Sequence, residues 1–211
     1  MGRRGLNLER VVAAAIELAD ADGLGAVSMA RVAERLGFTT MSLYRHVKSK
    51  DELLWLMLDA VMGTPPPPPA PGWRAGLDAW ARDMMAVLDV HPWGIDIPIT
   101  GKLDTHAQLA WLDRGLETLA GTALHEGDKA EIVLVLNGYV FWAARLRQSI
   151  PTDVVEAVVP PSLDLSNYPS LAAMMASGIF DDQTTAEEEW AFGLDLILDG
   201  VAALIARHPA G

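Results

Sequence analysis

The chain has 211 residues, 51% of them hydrophobic and 21% charged, with no cysteine and a formal net charge of −12. That length and apolar content exclude a disordered chain and suffice for one large core or two small ones. Without cysteine there is no disulfide, thiolate metal site or cysteine nucleophile, and a reducing, cytoplasmic setting is expected.

No apolar run approaches the roughly 18 residues of a membrane span. Arg3-Arg4 ahead of the apolar residues 11–16 has the outline of a signal peptide. Glu9, Arg10, Glu17 and Asp20 bracket that stripe, however, so no leader is expected. The charge is unevenly placed: residues 1–50 carry a net +3, leaving −15 for the remainder. Such asymmetry suggests two jobs in one chain.

The first sixty residues read as four short helices. Asn7 caps a helix with Leu8, Val11, Val12, Ala15, Ile16 and Ala19 on one face, closed by Gly23 and Gly25. Ser28 caps a second helix with Val32, Ala33 and Leu36 inward, ending at Gly37. Thr39 or Thr40 caps a third, about residues 40–46, with Leu43, Tyr44 and Val47 on its buried side. Ser49 and Glu52 form a capping box for a fourth, whose apolar face is Leu53, Leu54, Met57, Leu58 and Val61.

A break follows at residues 63–72, which include five successive prolines, Pro65 to Pro69. Proline runs cannot continue a helix and favour an extended backbone. The expected organisation is therefore residues 1–62, a linker at 63–72, and a helical unit at 73–211.

The second unit also reads as helices. Residues 73–90 carry Leu77, Trp80, Ala81, Met84, Met85 and Leu88 at helical spacing, broken by His91-Pro92-Trp93-Gly94. Residues 103–124 show Leu109, Leu112, Leu116 and Leu119, with Trp111 beside them. A third helix opens at Gly127-Asp128, and its residues 132–136 are apolar on every side, which implies burial on more than one face. Residues 150–170 read as an irregular connection and 171–179 as a short helix. The last long helix, 187–208, aligns Trp190, Leu194, Ile197, Leu198, Val201, Leu204 and Ile205. The fold class is all-α.

Two short helices joined by a tight glycine turn are the sequence form of a helix-turn-helix, whose second helix enters the DNA major groove. That helix offers Thr40, Ser42, Tyr44, Arg45 and His46, with Lys48 and Lys50 just beyond it: hydroxyls and cations suited to phosphates and base edges. The same topology occurs in many helical proteins, so it does not decide the matter alone.

The ordered pattern is more specific. Val32-Ala33-Glu34-Arg35-Leu36-Gly37, then five residues, then Leu43-Tyr44-Arg45-His46-Val47-Lys48-Ser49-Lys50, resembles the DNA-binding segment of the tetracycline-repressor (TetR) family of transcriptional regulators. The resemblance extends over about residues 7–62. It implies that Thr40, Met41 and Ser42 face base edges, and that Tyr44, His46 and Lys50 meet phosphates. It further implies that Ser28 is a backbone-contacting cap. Arg45 stands where the tetracycline repressor has a tryptophan, and Ala30 where it has a base-reading arginine.

The resemblance also implies a homodimer formed by the helices near 128–147 and 187–207, acting on palindromic double-stranded operator DNA. A small-molecule inducer would bind the second unit and release the operator. Trp80, Met84, Trp93, Trp111, Asn137 and Tyr139 are the candidate pocket residues, so the inducer is expected to be largely apolar. Aromatics at helical spacing equally suit a plain core.

His91 and His106 lack matched carboxylate spacing, so neither a metal nor another cofactor is expected. No phosphate-binding, nucleophile-elbow or zinc-protease motif is present. The alternatives to a regulator are a helical ligand-binding dimer that does not bind DNA and, less favoured, an enzyme.

Overall fold

The computed structural model describes residues 5–68, 72–98, 105–149, 164–177 and 185–208. Among them there are nine α-helices and no strand. The first unit holds α1 (Leu8–Asp22), α2 (Met29–Leu36), α3 (Thr40–Leu43) and α4 (Lys50–Met62). The second holds α5 (Trp73–Val90), α6 (His106–Thr118), α7 (Glu126–Ser149), α8 (Pro169–Ala176) and α9 (Ala186–Arg207).

Local chemistry sets the early boundaries. The side chains of Asn7, Ser28, Thr39 and Ser49 accept the backbone N–H of Arg10, Arg31, Ser42 and Glu52, satisfying orphan donors at each helix start. Gly37 adopts the left-handed conformation (φ 71°) that closes α2, and its N–H bonds back to Ala33 and Glu34.

Several elements differ from the sequence reading. The third helix is only one turn long. After Leu43 the backbone tightens, with His46 N–H donating to Leu43 O, and this swings Val47 into the core. Tyr44, expected inward, is 47% exposed. The capping box of α4 is offset, because the Glu52 carboxylate accepts from Lys48 N–H and not from Ser49.

Helix α6 ends at Thr118, six residues early. Thr118 and Thr122 donate their hydroxyls to the carbonyls of Gly115 and Leu119, and three-residue turns replace the helix. The inward face of α6 is Ala107, Trp111 and Gly115, while Leu109 is exposed. Helix α8 opens at Pro169, a residue suited to a first helical turn. The expected irregular stretch 150–163, residues 101–104 and residues 178–179 lie outside the described residues.

Two cores result. Val11, Ala15, Val32, Leu43, Leu53 and Met57 centre the first, and Leu77, Leu88, Leu136, Leu194 and Leu198 the second. They are not sealed from each other. Trp93 and Ile97, which follow α5, pack in the first core, while Met62 packs against the second. The Asp20 carboxylate accepts from Trp93 Nε1 at 2.6 Å and pairs with His91 Nδ1 at 2.8 Å, tying α1 to that turn. His91 is thus engaged by a structural carboxylate, and no metal-binding cluster of His, Asp and Glu occurs among the described residues.

Candidate DNA-reading head and ligand cavity

The sequence-selected DNA residues fall at the N-cap of α2, in and just after α3, and at the first residue of α4, none of them fully buried. Met41 is 72% exposed, Arg45, His46 and Lys50 are exposed with Tyr44, and Thr40, Ser42 and Ser28 are half-buried. Leu43 and Val47, both fully buried, anchor this turn from behind. Ser42 Oγ lies 3.0 Å from Thr39 Oγ1, so its hydroxyl is engaged within the turn.

Charge pairing narrows the region further. Arg31 and Arg35 are held by Asp22 and Glu17 at 2.7 and 2.8 Å. Arg45, Lys48 and Lys50 form no ion pair among the described residues. These three exposed cations lie between the end of α3 and the first residue of α4, open to a phosphate backbone.

Beneath this unit lies a cavity of about 410 Å³. Its walls come from α4, α5, α6 and α7, with Ile97 closing one side. Of the six candidates from sequence, Trp80, Met84, Trp111 and Asn137 line it. Trp93 does not, because its indole belongs to the first core and donates to Asp20. Tyr139 does not either. Its ring stacks on Trp190 at 4.9 Å, and its hydroxyl donates to Trp190 O at 2.8 Å. Burial pushes the Tyr139 phenol above its ordinary pKa.

The sequence reading missed the α4 wall: Trp55, Leu58, Asp59 and Met62. In sequence all four belong to the apolar helix of the DNA-binding unit, and a helix serving two cores shows no separate signal in a single apolar stripe.

The indoles are fixed by their polar edges. Trp80 Nε1 donates to Trp111 O at 2.8 Å, Trp111 Nε1 donates to Met62 O at 3.1 Å, and the two rings meet edge-to-face at 5.8 Å. Their polar tips are satisfied by protein, and two ring systems remain as rigid apolar wall. Thr105 and Gln108 are occupied with each other as the capping box of α6. Asn137 makes no hydrogen bond among the described residues, so its amide is available inside the cavity. Asp59 Oδ1 accepts the Ala107 N–H at 2.7 Å. The arrangement suits a largely apolar molecule with a few polar anchors.

Comparison with known proteins agrees with both halves. A family described as "Tetracyclin repressor-like, C-terminal domain" matches residues 65–205, and "Bacterial regulatory proteins, tetR family" matches residues 11–55. The chain is similar to the HTH-type transcriptional repressor DrrR1 of Streptomyces coeruleorubidus, 34% identical over 216 residues, covering 96% of this chain and 80% of that protein. Among solved structures it resembles apo ActR of Streptomyces coelicolor (26% identity, TM-score 0.83, covering 99% of this chain and all of that one). ActR in complex with actinorhodin is also similar (27% identity, TM-score 0.79, covering 95% and 98%). No described helix is long and apolar enough to cross a membrane. The chain belongs to the TetR family of transcriptional regulators.

Proposed function

We propose that this regulator is a repressor that holds a palindromic operator as a homodimer and lets go when a flat, largely apolar small molecule fills the cavity. Residues 1–62 form the DNA-binding unit, 63–72 the linker, and 73–211 the ligand-binding and dimerisation unit. It acts by binding, on DNA in the cytoplasm, and not by catalysis. The observation that carries this reading is the double duty of α4. Its first turn follows the reading head, and its last two turns wall the cavity.

A ligand that binds one setting of α4 better than another shifts operator affinity by that difference, and by no more. Similar proteins support a small-molecule ligand, since ActR has been solved in complex with actinorhodin and with (S)-DNPA. Within the DNA unit, Thr40, Met41 and Ser42 read bases. Ser28, Tyr44, Arg45, His46 and Lys50 contact the backbone or flanking bases. Within the second unit, Trp80, Met84, Trp111 and Asn137 hold the ligand together with Trp55 and Asp59.

Dimerisation is supported by apolar side chains left outward on α7 and α9. Val135 and Trp142 on the one, and Phe192 and Leu196 on the other, are all more than half exposed in the single chain.

Selection of bound sequences from random DNA, followed by gel shift with and without planar aromatic compounds, tests the function. Enrichment of an inverted repeat whose half-sites lie about one helical turn apart, with release by a compound, is the expected result. Failure to enrich any sequence would overturn the repressor reading in favour of a ligand-binding dimer.

A further inference from the structure

We propose that the cavity's ligand is a planar aromatic bearing a protonated amine, with Asp59 as its counter-ion. This rests on the reading of the cavity as the inducer site, and adds the sign of the charge it selects.

Three observations carry it. First, Asp59 is the one charged residue among the described lining residues, and no lysine, arginine or histidine stands with it. The other polar lining residues, Thr105, Gln108 and Asn137, are neutral, so this half-buried carboxylate alone sets the sign of the charge at the chamber wall. Second, the partner inside the protein uses only part of it. Oδ1 accepts Ala107 N–H in the first turn of α6, and Oδ2 makes no hydrogen bond among the described residues. The α6 N-terminus contributes the equivalent of about half a positive charge. An asparagine would accept the same N–H, so the full charge exceeds what capping needs.

Third, the walls suit a cation as well as an apolar ring. Trp55, Trp80 and Trp111 line the chamber, and the indole face is the strongest cation–π acceptor among side chains. With Trp80 Nε1 and Trp111 Nε1 both committed to backbone carbonyls, neither N–H is left to draw an anion. Asn137 is then left to meet a neutral oxygen or hydroxyl on the ring system. An anionic ligand would instead be brought against Asp59 with no lining cation to offset it.

Isothermal titration of the full-length, DNA-free protein separates these cases, using three tricyclic probes of similar shape: proflavine (cationic), acridone (neutral) and an acridine carboxylate (anionic). Leaving DNA out removes intercalation as a source of signal. We expect proflavine to bind at least roughly tenfold more tightly than acridone, and the carboxylate to bind most weakly. Asp59→Asn should erase the preference for proflavine over acridone. The acidic exterior attracts any cation to the same extent in both proteins, so the difference isolates Asp59. Circular dichroism reports whether the variant keeps its helices. Equal binding of cation and anion by the wild type, or an unchanged order in Asp59→Asn, overturns the counter-ion assignment alone. If none of the three binds, the cavity is not an aromatic-ligand site, and the inducer reading falls with it.

Discussion

The carboxylate of Asp59, in the last turn of α4, accepts the backbone N–H of Ala107, in the first turn of α6, at 2.7 Å. One hydrogen bond thus joins the helix that follows the reading head to a helix that walls the cavity. It also satisfies one of the orphan donors at the α6 start, beside the Thr105–Gln108 capping box. Asp59→Ala leaves that donor without its partner and should cost about 0.5–2 kcal/mol of stability, read as a lower midpoint in urea. Asp59→Asn keeps an acceptor and should recover most of the loss. If Asp59→Ala unfolds at the wild-type midpoint, the bond has no structural weight and cannot couple the two helices.

Close approach of α6 to α7 depends on a missing side chain. A Cβ at Gly115 would lie 2.8 and 2.9 Å from the two γ-methyls of Val133, and 3.4 Å from Trp80 Nε1. Contacts under 3.0 Å to both branches of one stiff, buried side chain cannot be kept, so Val133 or the helix itself must shift. Gly115→Ala should destabilise by about 1–3 kcal/mol in spite of alanine's better helix propensity, since overpacking outweighs a gain of about 1 kcal/mol. Thermal unfolding decides the sign. A rise in midpoint would mean that α6 and α7 are less tightly packed than these distances indicate.

Helix caps and apolar stripes made much of this fold legible before any coordinates. Asn7, Ser28, Ser49 and the proline run mark starts and stops that local bonding alone enforces. The cavity is half legible, for a physical reason: Trp80 within α5 and Trp93 just after it are both tryptophans next to the same apolar stripe. What separates them is where the chain goes after α5, and the turn beginning at Pro92 carries Trp93 back to Asp20 in the first core. Tyr44 shows the same limit at shorter range. Helical spacing placed it inward, but α3 stops after one turn and frees it. No pattern in a single sequence reports that Asp59 and Ala107, 48 positions apart, are hydrogen-bonded.

The outward faces of α7 and α9 make the dimer testable. Trp142 is 59% and Phe192 68% exposed in the single chain, on helices joined by the Tyr139–Trp190 stack. Replacing either by glutamate places a charge where two subunits would exclude water, and neither side chain belongs to the buried core, although Trp142 also stacks on Tyr139 at 6.5 Å. Sedimentation equilibrium should show dimers for the wild type and monomers for Trp142→Glu or Phe192→Glu, with helix content retained. Dimers of unchanged strength in both variants would locate the interface elsewhere.

Asp83 supplies a pH dependence. It borders a small cleft with Pro65, Pro66, Trp80 and Arg114, and Arg114 Nη2 donates to Pro66 O at 2.9 Å. Burial raises the Asp83 pKa above its ordinary value, and the nearby Arg114 offsets only part of that. A raised carboxylate pKa means that the native state takes up a proton more readily than the unfolded chain. Asp83 therefore costs stability at neutral pH, and the cost disappears as pH falls through its folded pKa. Asp83→Asn should raise the melting temperature at neutral pH, by an advantage that shrinks on acidification towards about pH 4. A constant difference across that range would show that the carboxyl's ionisation is not the cause.

The reading head makes the sharpest separation of roles. Tyr44 and Lys50 stand exposed around the turn, near Arg45 and Lys48, which form no ion pair among the described residues, whereas Thr40 sits in the first turn of α3 beside the exposed Met41. Contacts to phosphate are shared by every sequence, and contacts to base edges are not. Tyr44→Ala should weaken specific and nonspecific DNA together. Lys50→Ala should do the same and reduce the slope of log affinity against log salt by about one. Thr40→Ala should change which operator variants are preferred, at about 1–3 kcal/mol per affected base pair, with little change in the salt slope. Gel shifts over a salt series, on the selected operator and on single-base variants, read both quantities at once. Unchanged affinity and unchanged preference in all three variants would move the DNA-contacting surface away from α3, and the body's charge gives a reason to doubt that outcome. With −15 carried beyond residue 50, the surface around α3 and the start of α4 is where this chain can approach a polyanion without net repulsion.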